Sequence, residues 1–192
     1  MKAVRVLGSE IVLGSLIAVL SVLTAISGFQ GNMADSEQNK NEVLAQKMLT
    51  DANAEYLTAN QMIVYDYSMY DGWFTADTAD KEEYYLANFS AELQTDIDQG
   101  EAFSEAYYEA MYAFPNSMFD DADAYFDVAE QYDNHGDSLQ LVMLIMALGL
   151  TFAAWASLLK EESNMRVLFA IFSIAMLIYG LVTYLTIPAI IV

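Results

Sequence analysis

Apolar positions follow two different patterns along this chain. In three stretches they run on with scarcely a break. Ile11 to Phe29 is 19 residues without a formal charge, Leu139 to Leu159 is 21, and Val167 to Val192 is 26. A helix needs about 20 apolar residues to cross roughly 30 Å of hydrocarbon, whereas a helix on a soluble core keeps a polar face. Three transmembrane helices are therefore predicted. Met1 to Arg5 is basic and small residues cluster near Ala25, as in a cleaved signal peptide. The first span is read as a retained anchor, with cleavage as the competing expectation.

Between the first two runs the pattern changes to that of helices with one apolar face. Leu44, Met48, Ala52, Tyr56, Ala59, Ile63, Tyr67 and Tyr70 recur at spacings of four and three, up to a terminus at Asp71-Gly72. Within "QMIVYDYSMYDGWF" this makes Ile63, Tyr67, Tyr70 and Trp73 a candidate aromatic packing surface, with Asp66 to one side of it. A second helix is predicted from Asp80, capped with Glu83 three residues on, burying Tyr85, Phe89, Leu93 and Ile97 and ending at Gly100. Phe103, Tyr107, Met111 and Phe114 give a third, broken by Pro115-Asn116. Ser117 then caps a fourth, lined by Phe119, Ala122, Phe126, Ala129 and Tyr132.

The expected fold is all-α: an integral membrane protein with three transmembrane helices and a helical extracytoplasmic domain. Its parts are an anchor over residues 1–29, an acidic helical domain over 30–138 and a transmembrane hairpin over 139–192.

Charge sets the orientation. Residues 30–138 hold 24 of the 27 acids and only Lys40, Lys47 and Lys81 as bases, a net charge of −21. The remaining bases, Lys2, Arg5, Lys160 and Arg166, flank the apolar runs. Three crossings put both flanks on one side, and the positive-inside rule makes that side cytoplasmic. The acidic region and the C-terminus are then expected outside. So acidic a surface excludes nucleic acid as a partner.

Residues suited to chemistry are sparse. There is no cysteine and one histidine, His135, so a zinc site lacks ligands. Asp120, Asp121, Asp123 and Asp127 lack the glycine and closing glutamate of a calcium loop, and acids in a helix's first turn are favoured by its dipole anyway. No charge falls inside a span, which argues against a transporter. No catalytic residue, cofactor or metal is expected, and no enzymatic activity.

The spans carry stripes of small residues: Gly14, Ala18, Ser21, Ala25 and Gly28 in the first, Gly149, Ala153 and Ser157 in the second. Such stripes let helix backbones approach closely in lipid. The first is expected to pack on the hairpin or on a neighbouring copy. The order of parts, with the outer helix "MADSEQNKNEVLAQKMLTDANAEYLTANQ", resembles a group of uncharacterised prokaryotic three-span membrane proteins. The resemblance implies a fold and a location, and no activity. The resulting expectation is a structural or accessory subunit that works by helix packing, with membrane lipid around it and further copies or a larger membrane complex as partner. The alternative is a cation-conducting oligomer with an acidic vestibule.

Overall fold

The computed structural model describes residues 6–190, and all regular structure among them is helical. Five helices follow in chain order: α1 (Glu10–Phe74), α2 (Ala79–Leu86), α3 (Ala91–Asp98), α4 (Glu105–Leu158) and α5 (Asn164–Leu185). Three of them, α1, α4 and α5, contain a segment long and apolar enough to cross a membrane. The chain sorts into two compact units, Met1–Asn41 with Asp127–Val192, and Glu42–Phe126.

In the first unit the spans pack through unequal partners. From α1, Leu13, Leu16, Leu20 and Ser27 turn inward; Leu16 and Leu20 join Val142, Met146 and Ala153 of α4 in one cluster. Leu13 packs with Ala156 and with Ala170 of α5. Small residues set the spacing. A Cβ on Gly149 would stand 3.0 Å from Met176 Cβ, and one on Gly180 would stand 2.7 Å from Met146 Cε. The opposite faces present Val22, Leu144, Trp155, Ile178 and Val182, all exposed. In water such a belt would be a liability; against acyl chains it is the matching surface. In the first turn of α5, Arg166 is buried and donates from Nε to the Gly8 carbonyl and from Nη1 to the Leu159 carbonyl, each at 2.7 Å. The second contact satisfies a carbonyl freed where α4 ends, at the negative end of its dipole.

The second unit holds the end of α1, the short α2 and α3, and the start of α4. Its buried α1 positions Ala45, Ala52, Ala59 and Asp66 recur every seven residues, and Pro115 and Ala122 do so on α4. Small side chains there bring helix axes close. The sequence-predicted face holds in part: Ala52, Ala59 and Ile63 are buried as expected, Leu44, Tyr56 and Tyr67 are exposed, and Ala45 and Asp66 lie inside in their place. Large aromatics flank the seam instead of filling it, as in Tyr56, whose ring stacks on Tyr112 with centroids 4.9 Å apart.

Three predicted boundaries also move. Gly72 does not end α1, which continues to Phe74; its missing side chain leaves room for the Tyr85 ring, with which any Cβ would collide. The helix predicted from Asp80 to Gly100 is two helices, parted at Ala87–Ser90 because Ser90 serves as a second N-cap. Asp80 lies inside α2, whose cap position is Thr78. Pro115 breaks nothing: it is buried within α4, and Ser117 is a helix-interior residue whose hydroxyl donates to the Phe114 carbonyl. Proline costs a helix one bond and a clash; here packing along a 54-residue helix outweighs that cost.

Candidate functional site

The aromatic stretch at the end of α1 is the densest constellation of polar and aromatic side chains in the second unit. Ile63 is buried and joins Phe89, Leu93 and Tyr107 in its core; Tyr70 and Trp73 are half-buried at its edge. Tyr67 is 44% exposed, with its ring stacked on Phe103 at 4.2 Å and its hydroxyl hydrogen-bonded to that of Tyr108. Phe103 reaches that position from a left-handed backbone, φ 61°, which a bulky residue adopts only when its surroundings enforce it. Three of the four sequence-selected residues, Ile63, Tyr70 and Trp73, therefore share one cluster, and Tyr67 meets it through Phe103.

Asp66 was expected beside the packed face; it is at its centre, fully buried. Its Oδ1 accepts from the Ser90 backbone N–H at 2.9 Å. Its Oδ2 accepts from the Ser90 hydroxyl at 2.5 Å and from the Tyr107 hydroxyl at 2.7 Å. Ser90 Oγ in turn accepts from the Leu93 N–H, capping α3. The reason for the correction is geometric: with alanines forming the seam, the position seven after Ala59 turns inward. A polar side chain can occupy it only if its hydrogen bonds are met there.

The device occurs twice. Asp96 is buried and accepts from the backbone N–H of Ser104 at 2.8 Å and from its hydroxyl, while Ser104 Oγ accepts from the Tyr107 N–H at 3.3 Å and so caps α4. In both cases a carboxyl group grips the N-cap serine by backbone and side chain together. Both serines follow phenylalanine, Phe89-Ser90 and Phe103-Ser104, with a helix start immediately after. That repeated pair is the signal by which the sequence could have disclosed the device.

The network also shifts its tyrosines. Burial, and then the hydrogen bond to Asp66, hold the Tyr107 phenol far above the usual tyrosine range. The hydrogen bond to Tyr67 pushes Tyr108 up to about 12, and burial raises Tyr112. These hydroxyls stay protonated donors throughout the neutral range. Since Ser90 and Ser104 both donate to carboxyl oxygens, their hydroxyl protons are committed to holding helix ends. The arrangement fixes the starts of two helices. Trp73 Nε1 is buried without a partner.

The two small-residue stripes part company. On α4, Gly149 and Ala153 are buried among the helices and Ser157 is exposed. On α1, Gly14, Ala18, Ser21 and Ala25 are exposed, nothing lies within 4 Å of a Cβ built on Gly14, and only Gly28 meets the hairpin, at Met143. The stripe thus does not pack on the hairpin along its length, because Leu13, Leu16 and Leu20 bury more area there. A third stripe, overlooked in the sequence, is buried on α5: Ala170, Ser173 and Gly180.

Of the bases used for orientation, Lys2 and Arg5 lie outside the described residues, Lys160 is exposed and Arg166 is buried. His135 donates from Nδ1 to the Pro188 carbonyl at 3.2 Å. Among the described residues no group of three or more His, Cys, Asp or Glu is placed to hold a metal ion. No family model, curated protein or solved structure matches this chain.

Proposed function

We propose that this chain is a structural or accessory subunit of a membrane assembly, without catalytic activity, that associates through helix packing. Its N-terminus is cytoplasmic, and residues 30–138 and the C-terminus are extracytoplasmic. One observation carries the reading: the small-residue stripe of α1 is left outside the chain's own packing while its leucines turn inward. Within lipid, a small-residue face favours close contact with another helix over contact with acyl chains. The occupant this supports best is a second copy, or the helix of a larger complex.

Mass measurement of the complete chain in lipid nanodiscs tests the association. Ala18→Leu should lower the oligomer fraction, and Val19→Leu, exposed on another face, should leave it unchanged. Monomers only for the parent chain, or equal effects of both changes, would end the packing reading. For orientation, cysteines at Asp98 and Glu161, both exposed, should label oppositely with a membrane-impermeant reagent on intact cells, Asp98 reacting. Labelling at Glu161 alone would invert the topology.

A further inference from the structure

A cleft of about 530 Å³ lies in the first unit, lined by Gln30, Met33, Glu37, Tyr132, His135 and Tyr184, with Ala34, Leu139, Ile187 and Ile190 as further walls. Its size is in the range of small-molecule sites. Its place in the chain is specific. Gln30 and Met33 directly follow the first apolar run, Leu139 opens the second, and Tyr184, Ile187 and Ile190 close the third. All three spans end at it, which puts the cleft at headgroup depth, where tyrosine rings are enriched.

The lining has two characters. Met33, Leu139, Ile187 and Ile190 offer apolar contact, and polar groups stand among them: Tyr184 donates to Gln30 Oε1 at 3.0 Å, and His135 ties down the Pro188 carbonyl beside Ile187. Among the described residues no lysine or arginine lines it. The one formal charge among the described lining residues is Glu37, whose partner Lys40, at 3.0 Å and 64% exposed, approaches from outside the lining. So exposed a pair is held loosely. An anionic headgroup would find no basic partner here and would meet the field of the acidic segment.

We propose that this cleft is a lipid site selective for an amine-bearing, zwitterionic headgroup. The ammonium group pairs with Glu37 near the tyrosine rings, and the upper acyl chain lies on Met33, Ile187 and Ile190. The proposal needs the spans to lie in a bilayer; it does not depend on the subunit role, and its test is blind to oligomer size.

The complete chain in mild detergent is equilibrated with phosphatidylethanolamine or phosphatidylglycerol of equal chain length, and retained lipid is read by native mass spectrometry. Ethanolamine lipid should be retained about tenfold more, the factor corresponding to one charge-assisted contact. Glu37→Gln should abolish that preference, Lys40→Ala should sharpen it by freeing Glu37, and Ile187→Glu should reduce retention of both lipids. Equal retention of both by the parent, an unchanged preference in Glu37→Gln, or a weakened one in Lys40→Ala would overturn the proposal. So would equally tight binding of phosphoethanolamine without acyl chains, which would assign the site to a soluble amine.

Discussion

Replacing Asp66 by asparagine is the sharpest perturbation of the second unit. Asparagine keeps an oxygen for the Ser90 N–H but sets an amide nitrogen where Oδ2 stood, facing two hydroxyl donors, Ser90 Oγ–H and Tyr107 O–H. Each lost hydrogen bond costs about 0.5–1.5 kcal/mol net, and a donor left buried without an acceptor costs more, about 1–3 kcal/mol. Rotation of one hydroxyl to accept from the amide recovers part of this. The expected loss is about 2–3 kcal/mol, against a typical total of ~5–15 kcal/mol. The chain has two tryptophans, so a Trp155→Phe background leaves Trp73, at the edge of this core, as the sole reporter. Urea titration of the complete chain in detergent should then show the Trp73 midpoint falling by about 0.7–3 M, given a slope of about 1–3 kcal/mol per M. Asp71→Asn, five residues on and exposed, should leave it in place. Equal midpoints for the two variants would refute the buried-carboxyl account.

Three further outcomes are expected. Because the Tyr107 and Tyr108 phenols titrate higher in the fold than the ordinary value of 10.0, their contribution to stability is complete below about pH 10 and declines above it, that of Tyr108 being lost as pH rises through about 12 and that of Tyr107 only at still higher pH; Trp73 fluorescence between pH 9 and 12 should report the decline, and Tyr107→Phe should reduce its slope. Pro115→Ala should stabilise the chain by about 1 kcal/mol, since relief of about 3 kcal/mol of helix penalty exceeds the ~1.6 kcal/mol carried by two buried methylenes; a lower urea midpoint would show that the proline ring is needed for packing. Arg166→Lys should lower thermal stability in detergent, because an ammonium group lacks the fork that reaches the Gly8 and Leu159 carbonyls together; a melting temperature equal to that of the parent would make the clamp dispensable.

How far the sequence disclosed this structure depended on which signal each element carried. The three long apolar helices were legible because length and apolarity are written residue by residue, and Leu93, Phe89 and Ile63 were placed in the core by period alone. Asp66 was not legible, because its burial follows from donors 24 and 41 residues away. Pro115 and Gly72 misled for a related reason: local rules read them as breakers, whereas a long packed helix absorbed one and a neighbouring ring required the other. The α1 stripe was visible as a pattern, but which way it faced depended on Leu13, Leu16 and Leu20 competing for the same hairpin.

The grip of Asp66 on Ser90 also bears on the order in which the second unit forms. Helix α3 has eight residues, too few to persist alone in water, and its start is fixed by a side chain from α1. The nucleus of α3 is thus supplied from outside its own segment, and α3 cannot precede its docking on α1. Amide hydrogen exchange should reveal this as shared timing. The Leu93 N–H, which the Ser90 hydroxyl accepts, should exchange no faster than the α1 amides around Asp66, although it lies in the first turn of a short helix where fraying is the rule. In Asp66→Ala the α3 amides should exchange at rates near those of an unstructured peptide while the α1 amides keep their protection, separating two segments that otherwise open as one.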